Sequence, residues 1–330
     1  MAERFLLIAQ PHSYRIAPYI HAAKQMGLEV LIASKGEYSL VTEVYEGLHI
    51  DLDDPDSALA LILAEAANRP FGGVLGSDDS TVELAARVAQ QLDLPHNPPD
   101  AARVSRRKDL ARAHLLSAGC PVPQHCLLDL TLPLKKQMAG LPFPGVLKPL
   151  DLSASRGVIR VNNEQEFLAA CERIRPIIAE AGAHKFEQTN LLIENYIDGI
   201  EVAYEGFLQQ GKLTTLALFD KPDPLVGPYF EETIYVTPSW LGSTQQEIIK
   251  ARAQQACDAY GLITGPVHAE LRINEQDTWI LEVASRTIGG DCGRTLDTGS
   301  GLNLEALTIA LAMGQAVTPE PLPGARGVMM

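Results

Sequence analysis

The chain of 330 residues suits about two domains of roughly 150 residues each, and its 46% apolar and 21% charged residues are those of a globular protein. Lys and Arg number 27 against 41 Asp and Glu, a net charge of −14, which argues against nucleic acid or an anionic membrane as the main partner but leaves room for a local basic pocket. No apolar run approaches the roughly 20 residues of a membrane helix, the run Phe5–Ala9 ends at Gln10-Pro11-His12 without a small-residue cleavage site, and the five scattered cysteines read as reduced thiols in a cytoplasm.

Up to about residue 100, short apolar runs alternate with amphipathic stretches. Strands are predicted at 4–9, 29–34, 47–52 and 71–77, and helices at 15–27, Pro55–Asn68 and Thr81–Leu92. That alternation means a parallel sheet with crossover helices, whose ligands sit beyond the C-terminal strand ends. Two loops fall there, "QPHSYR" and "GSDDST"; neither is a dinucleotide fingerprint, and helix N-caps at Ser13 and at Asp79 or Ser80 would account for them equally well. "HNPPDAARVS" reads as a boundary, after which Ser105 can cap a helix over 106–119. From Val146 the signals are mostly short strands, with helices only at 164–182, 244–261 and 303–314, so the second part is antiparallel-rich α+β. The expected divisions are 1–104, 105–189 and 190–330.

The densest chemistry lies between Val267 and Arg286. In Val267–Ile273 the even positions are His268, Glu270 and Arg272, and the odd ones are apolar. On the next strand Trp279, Leu281 and Val283 are expected to join the apolar face, leaving Thr278, Ile280 and Glu282 on the other. A 274/278 pairing then sets Glu270 opposite Glu282 and Arg272 opposite Ile280. Carboxylates facing across a ladder repel. A shared proton, an arginine or a divalent cation would offset the repulsion, and oxygen ligands without Cys or paired His suit Mg²⁺ or Mn²⁺. The alternative is a solvated pair in a slipped register.

A cation held by two carboxylates implies a nucleotide, so phosphate contacts are expected elsewhere. Lys148 ends a strand and is followed by a loop of small residues, Ser153, Ala154, Ser155, Arg156 and Gly157, whose backbone N–H groups could approach phosphate oxygens. It is not a Walker loop, and an ordinary hairpin would also explain it. Glu194 and Glu201 flank a turn at Asp198-Gly199, which an exposed hairpin would explain as well. Cys257 and Cys292 have no catalytic partner nearby and read as inert thiols.

Taken together and in this order, these pieces resemble the ATP-grasp superfamily of carboxylate–amine ligases over nearly the whole chain. "SYR" after the first strand, "DKPDPLVGPYFEETIYVTPS" and "HAEL…ILEVASR" are most similar to its L-amino-acid ligase and biotin-carboxylase-like branch. The resemblance implies a Rossmann-like parallel-sheet domain followed by a two-lobed ATP-grasp domain with antiparallel sheets. It implies that Lys108 reaches the α-phosphate, that Lys148 serves the adenine and phosphate end, and that Ser153 to Gly157 cover the phosphates. Glu194 and the backbone near Tyr196 would hold adenine, Glu201 the ribose, Glu270 and Glu282 the metal, and Arg286 the transferred phosphoryl group. Tyr14, Arg15, Glu232, His268 and Arg294 are substrate-pocket candidates. Many relatives carry Asn two residues after the second metal Glu, where this chain has Ala284; and "GARGVMM" reads as the opening of a strand where relatives often continue into a further small lobe.

The implied activity joins a small carboxylate, an amino acid or similar acid, to an amine through an acyl phosphate, using ATP and Mg²⁺ or Mn²⁺ and releasing ADP and phosphate. The alternatives are a biotin-carboxylase-like enzyme, in which bicarbonate replaces the organic acid, and a nucleotide-binding module without turnover. The resemblance also implies a homodimer.

Overall fold

The computed structural model describes residues 3–36, 47–181, 185–320, 324 and 327–329. The N-terminal part runs β1 (Arg4–Ile8), α1 (Ile16–Gln25), β2 (Glu29–Ser34), β3 (Gly47–His49), α2 (Pro55–Asn68), β4 (Gly73–Gly76) and α3 (Val82–Gln91), its strands all parallel in the order β3-β2-β1-β4. Alternation along β1 makes the two-sided core. Leu6 and Ile8 pack with α2 and α3 through Ala58, Ile62, Leu84 and Val88, while Phe5, Leu7 and Ala9 face α1. Asp54 caps α2 by accepting from the Ser57 N–H, with Pro55 opening the helix.

The expected caps at Ser13 and at Asp79 or Ser80 do not form. The N-cap positions are Arg15 and Thr81, neither with a side-chain cap bond. Ser13 Oγ instead donates to Asp78 at 3.0 Å, and Asp79 receives Arg286. Ser105 is no cap either: proline at the N-terminus starts a helix earlier, α4 (Pro99–Arg106), and α5 (Lys108–Ser117) follows a break at the extended Arg107. Ser105 lies inside α4 and bonds Ser285 Oγ at 2.8 Å.

The middle lobe comprises β5 (His125–Asp129), α6 (Leu134–Gln137), β6 (Gly145–Pro149), β7 (Ile159–Val161), α7 (Glu164–Glu180), α8 (Lys185–Thr189) and β8 (Asn190–Asn195), with antiparallel strands in the order β5-β8-β6-β7. Its core is sealed by Phe167, Cys171, Ile174 and Ile178 of α7. The last part holds β9 (Ile200–Gln209), β10 (Lys212–Lys221), β11 (Tyr235–Thr237), α9 (Ser243–Tyr260), β12 (Gly265–Ile273), β13 (Thr278–Ala284), α10 (Cys292–Ser300), α11 (Leu304–Ala312) and β14 (Gly327–Met329), with strand order β13-β12-β9-β10-β11-β14. One face of this sheet packs on α4, α5 and α9. The other face forms the floor of a cavity. Helix α11 returns to the N-terminal part, where Ile309 and Ala312 join the core under α1.

The β12–β13 ladder carries a bulge that the sequence pattern does not reveal. Glu270 does pair with Glu282, but the next pairs are Leu271–Ile280, Arg272–Trp279 and Ile273–Thr278, so Arg272 does not face Ile280. Leu281 is the extra residue. Beyond it the faces exchange: Ile280 joins Val283 in the core, and Leu281 lines the cavity beside Glu282.

Gly199, in the turn between β8 and β9, has φ +101°, and a Cβ there would lie 2.1 Å from the Ile273 carbonyl oxygen. Gly199→Ala is therefore expected to lower stability by about 1–3 kcal/mol, read by denaturant titration.

Candidate functional site

A cavity of about 970 Å³ lies between the middle lobe and the β9–β12–β13 face and reaches the loops after β1 and β4. Its floor is set by strand register. The inward residues of β9 are Glu201, Ala203 and Glu205; against them β12 places Arg272, Glu270 and His268, and β10 places Lys221 beside Glu201. The even positions expected from the sequence thus do share one face.

Charge on this floor is densely paired. Buried Lys221 donates to Glu201 at 2.9 Å, to Glu270 at 3.2 Å and to Glu232. Arg272 donates to Glu201 at 2.7 Å and to the carbonyls of Ile197 and Leu225. Burial opposes the charge on Lys221, but Glu270, Glu201 and Glu232 together hold its pKa well above the ordinary value. Burial, with repulsion from Glu270, pushes Glu232 up to about 6. Carboxylate oxygens of Glu201, Glu232 and Glu270 lie within 4.8 Å of one another, as metal ligands would, yet Lys221 contacts all three and serves as their counter-charge.

Glu282 faces Glu270 from β13, and Lys108 approaches its Oε2 at 3.4 Å. Both carboxylates are about a quarter exposed, 25% and 27%, and open into the cavity. Hard oxygen donors with this access fit a divalent cation such as Mg²⁺. Ala284 is buried and offers no side-chain ligand atom. His268 lies between two acids, its Nδ1 3.3 Å from buried Glu205 and its Nε2 3.7 Å from Glu270. Burial disfavours the imidazolium, but Glu205 and Glu270 outweigh it and raise the His268 pKa.

At the middle-lobe end, Glu194 is clamped between Lys148 at 2.6 Å and the bidentate Arg112 at 2.5 and 3.2 Å. Burial alone would raise its pKa, but the two cations hold it at about 2. Both oxygens of Glu194 are engaged, and this carboxylate orients Lys148. Tyr196 stacks on Phe230 and lies under Arg160 and Arg272. Ser153, Ser155 and Arg156 line the cavity, in a loop where Ala154 and Ser155 both take positive φ, +55° and +51°. Gly157 lies just outside the lining, with φ +76° and no room for a Cβ against Pro149. Lys108 Nζ is tied to the Leu152 carbonyl at 2.8 Å.

The substrate candidates divide. Tyr14, Arg15, Glu232 and His268 line the cavity, and Arg286 lies among them. Arg294 does not: it is exposed on α10 and absent from the lining, because the helix started by Cys292 turns it outward. Sequence reasoning missed Lys221 and Arg112 as members of the site and gave Arg272 a face but no role. Arg272 stands on the face already expected for His268 and Glu270, Lys221 lay in a stretch read only for its family resemblance, and Arg112 had no local signal.

Two antiparallel lobes thus face each other across a cavity lined with lysines and an open carboxylate pair. Residues 141–295 match the ATP-grasp domain and residues 20–96 the ATP-grasp N-terminal domain, and the chain belongs to the ATP-grasp family. It is 25% identical to Carnosine synthase 1 of Homo sapiens over 324 residues, covering 93% of this chain and 39% of that protein. It is 26% identical to the D-alanine–D-alanine ligase of Pseudomonas entomophila over 82% of this chain and 83% of the relative. The L-amino acid ligase of Bacillus licheniformis shares the fold, with a TM-score of 0.79 at 23% identity over 97% of this chain and 75% of that one. The chain spans 39%, 61% and 47% of the length of three of its curated relatives. Among the described residues no helix is long and apolar enough to cross a membrane.

Glu194→Gln leaves two cations without their counter-charge and is expected to cost roughly 3–5 kcal/mol in chemical denaturation. Because the folded pKa of Glu194 is about 2 against an ordinary 4.5, its contribution is present above about pH 4.5 and is lost as the pH falls toward 2. The stability profile of the Gln variant is expected to be flatter than wild type in that window.

Proposed function

We propose that this protein is an ATP-dependent ligase joining a small carboxylate, an amino acid or similar acid, to an amine. The observation that carries this reading is the Glu270–Glu282 pair sharing one cavity with Lys108, Lys148 and Arg286. The ATP-grasp family and ligases among the relatives support it. Glu270 and Glu282 would hold Mg²⁺ or Mn²⁺, which when bound neutralises charge on phosphate oxygens.

In this reading Lys108 and Lys148 bind the phosphates electrostatically, and the Ser153–Gly157 loop supplies backbone N–H groups and keeps water out. Glu194 holds Lys148 in place, and Glu201 remains the candidate for the ribose hydroxyls. A substrate carboxylate oxygen attacks the γ-phosphorus, the bond to the bridging oxygen breaks, and ADP leaves. The amine then attacks the acyl carbon, phosphate departs with the electron pair of the C–O bond, and the amine loses a proton. Arg286 stabilises charge on the transferred group. Tyr14, Arg15, Glu232 and His268 border the acid and amine positions. The assembly is a homodimer in this reading.

Glu282→Gln is expected to lower ATP turnover by at least about 100-fold while the melting temperature stays near wild type; full turnover would overturn the metal role. ADP release with MgATP, screened over L-amino acids singly and in pairs and against bicarbonate, is expected to require one acid and one amine. Dependence on bicarbonate would assign the carboxylase-like reaction instead, and nucleotide binding without release under any condition would assign a binding module.

A further inference from the structure

Arg286 leaves the end of β13 on the C-terminal lobe, but its guanidinium is held by the N-terminal domain. Nε donates to Asp79 Oδ2 at 2.8 Å, and Nη1 donates to the Thr287 carbonyl at 2.9 Å. Nη2 has no hydrogen bond among the described residues, and Arg286 lines the cavity. Both side chains of the pair are largely buried, at 12% and 13% exposure. Burial would raise the Asp79 pKa, but Arg286 outweighs it, aided by Lys108 and Arg15, and holds it below the ordinary value.

The same seam has further stitches. Arg15 Nη1 donates to Thr287 Oγ1 at 2.7 Å and to the Ile288 carbonyl at 3.0 Å, and the Gly290 N–H donates to the Tyr14 hydroxyl at 2.9 Å. From the other side, buried Glu205 of β9 accepts the Ile288 N–H at 3.1 Å. The segment after β13 is therefore gripped between two loops of the parallel sheet and the cavity floor. Those loops follow the neighbouring strands β1 and β4, the place where an open α/β sheet ordinarily receives its ligand. Here they hold an arginine.

We propose that Asp79 is a positioning residue, which fixes the Arg286 guanidinium toward the terminal phosphoryl group of the nucleotide and so makes the N-terminal domain part of the phosphoryl-transfer machinery. This rests on the nucleotide reading of the preceding subsection. A free arginine spreads over many rotamers; a bidentate-capable fork tied at Nε presents its remaining N–H groups in one orientation.

Binding of MgADP and of the non-hydrolysable MgAMPPNP to the full chain, measured by calorimetry, isolates the contact to the terminal phosphate. Wild type is expected to prefer AMPPNP. Asp79→Asn and Arg286→Gln are each expected to weaken AMPPNP about tenfold while ADP stays within about twofold. The double variant is expected to be no weaker than Arg286→Gln alone, and Asp79→Glu, which keeps the charge, to recover most of the preference. The proposal is overturned if Asp79→Asn keeps the wild-type preference, if it weakens ADP as much as AMPPNP, or if the two substitutions multiply. Absence of any nucleotide binding by wild type would instead remove the functional reading, and this inference with it.

Discussion

Glu270 and Glu282 face each other across an antiparallel ladder, a like-charge arrangement that a sheet ordinarily avoids. It is tolerated because each carboxylate meets a lysine from a different element, Lys221 of β10 and Lys108 of α5. Lys221 in turn needs Glu201 and Glu232, and Glu201 needs Arg272. Removing Lys221, Glu201 or Arg272 would leave a buried ion without its partner, so this part of the floor stands or falls as a network, with the more exposed Glu282 at its edge. The apolar reverse of the same strands, packed on α9, fixes the register that makes the network possible.

From this floor, charge pairs run outward and tie the parts of the molecule to one site. Arg112 of α5 holds Glu194 of the middle lobe and also donates to the Leu281 carbonyl at 2.9 Å. It thereby joins the Lys148 end of the cavity to the bulge that aims Glu282. On the opposite side Asp79 and Arg15 join the parallel sheet to the segment after β13. The apolar return of α11 beneath α1 keeps that domain against the lobe it serves. Polar contacts thus set angles at the site, while hydrophobic packing elsewhere sets distances.

Much of this was legible along the chain. The strand–helix alternation before residue 100, the inward set His268, Glu270 and Arg272, and the pairing of Glu270 with Glu282 all follow from periods of two and about four residues. Each depends on neighbours a few positions away. The errors have a common cause as well. Ser13, Asp79 and Ser105 looked like caps because local hydrogen bonding is what a short polar motif usually does, but each found a partner elsewhere, and for Asp79 and Ser105 that partner lies far along the chain. Arg294 fell outside the cavity because a helix beginning at Cys292 carried it to the surface.

The sequence by itself determined the layers, the inward face of β12 and the carboxylate pair, since these come from alternation that one-dimensional order records. Only the tertiary structure decided the bulge at Leu281, which exchanges the faces of one strand without changing its composition. It alone decided that Lys221 is the counter-charge of three acids and that Asp79 holds Arg286 across more than two hundred residues, 207 in all. Counter-ions are chosen by which charges packing leaves buried together, and no local spacing encodes that choice.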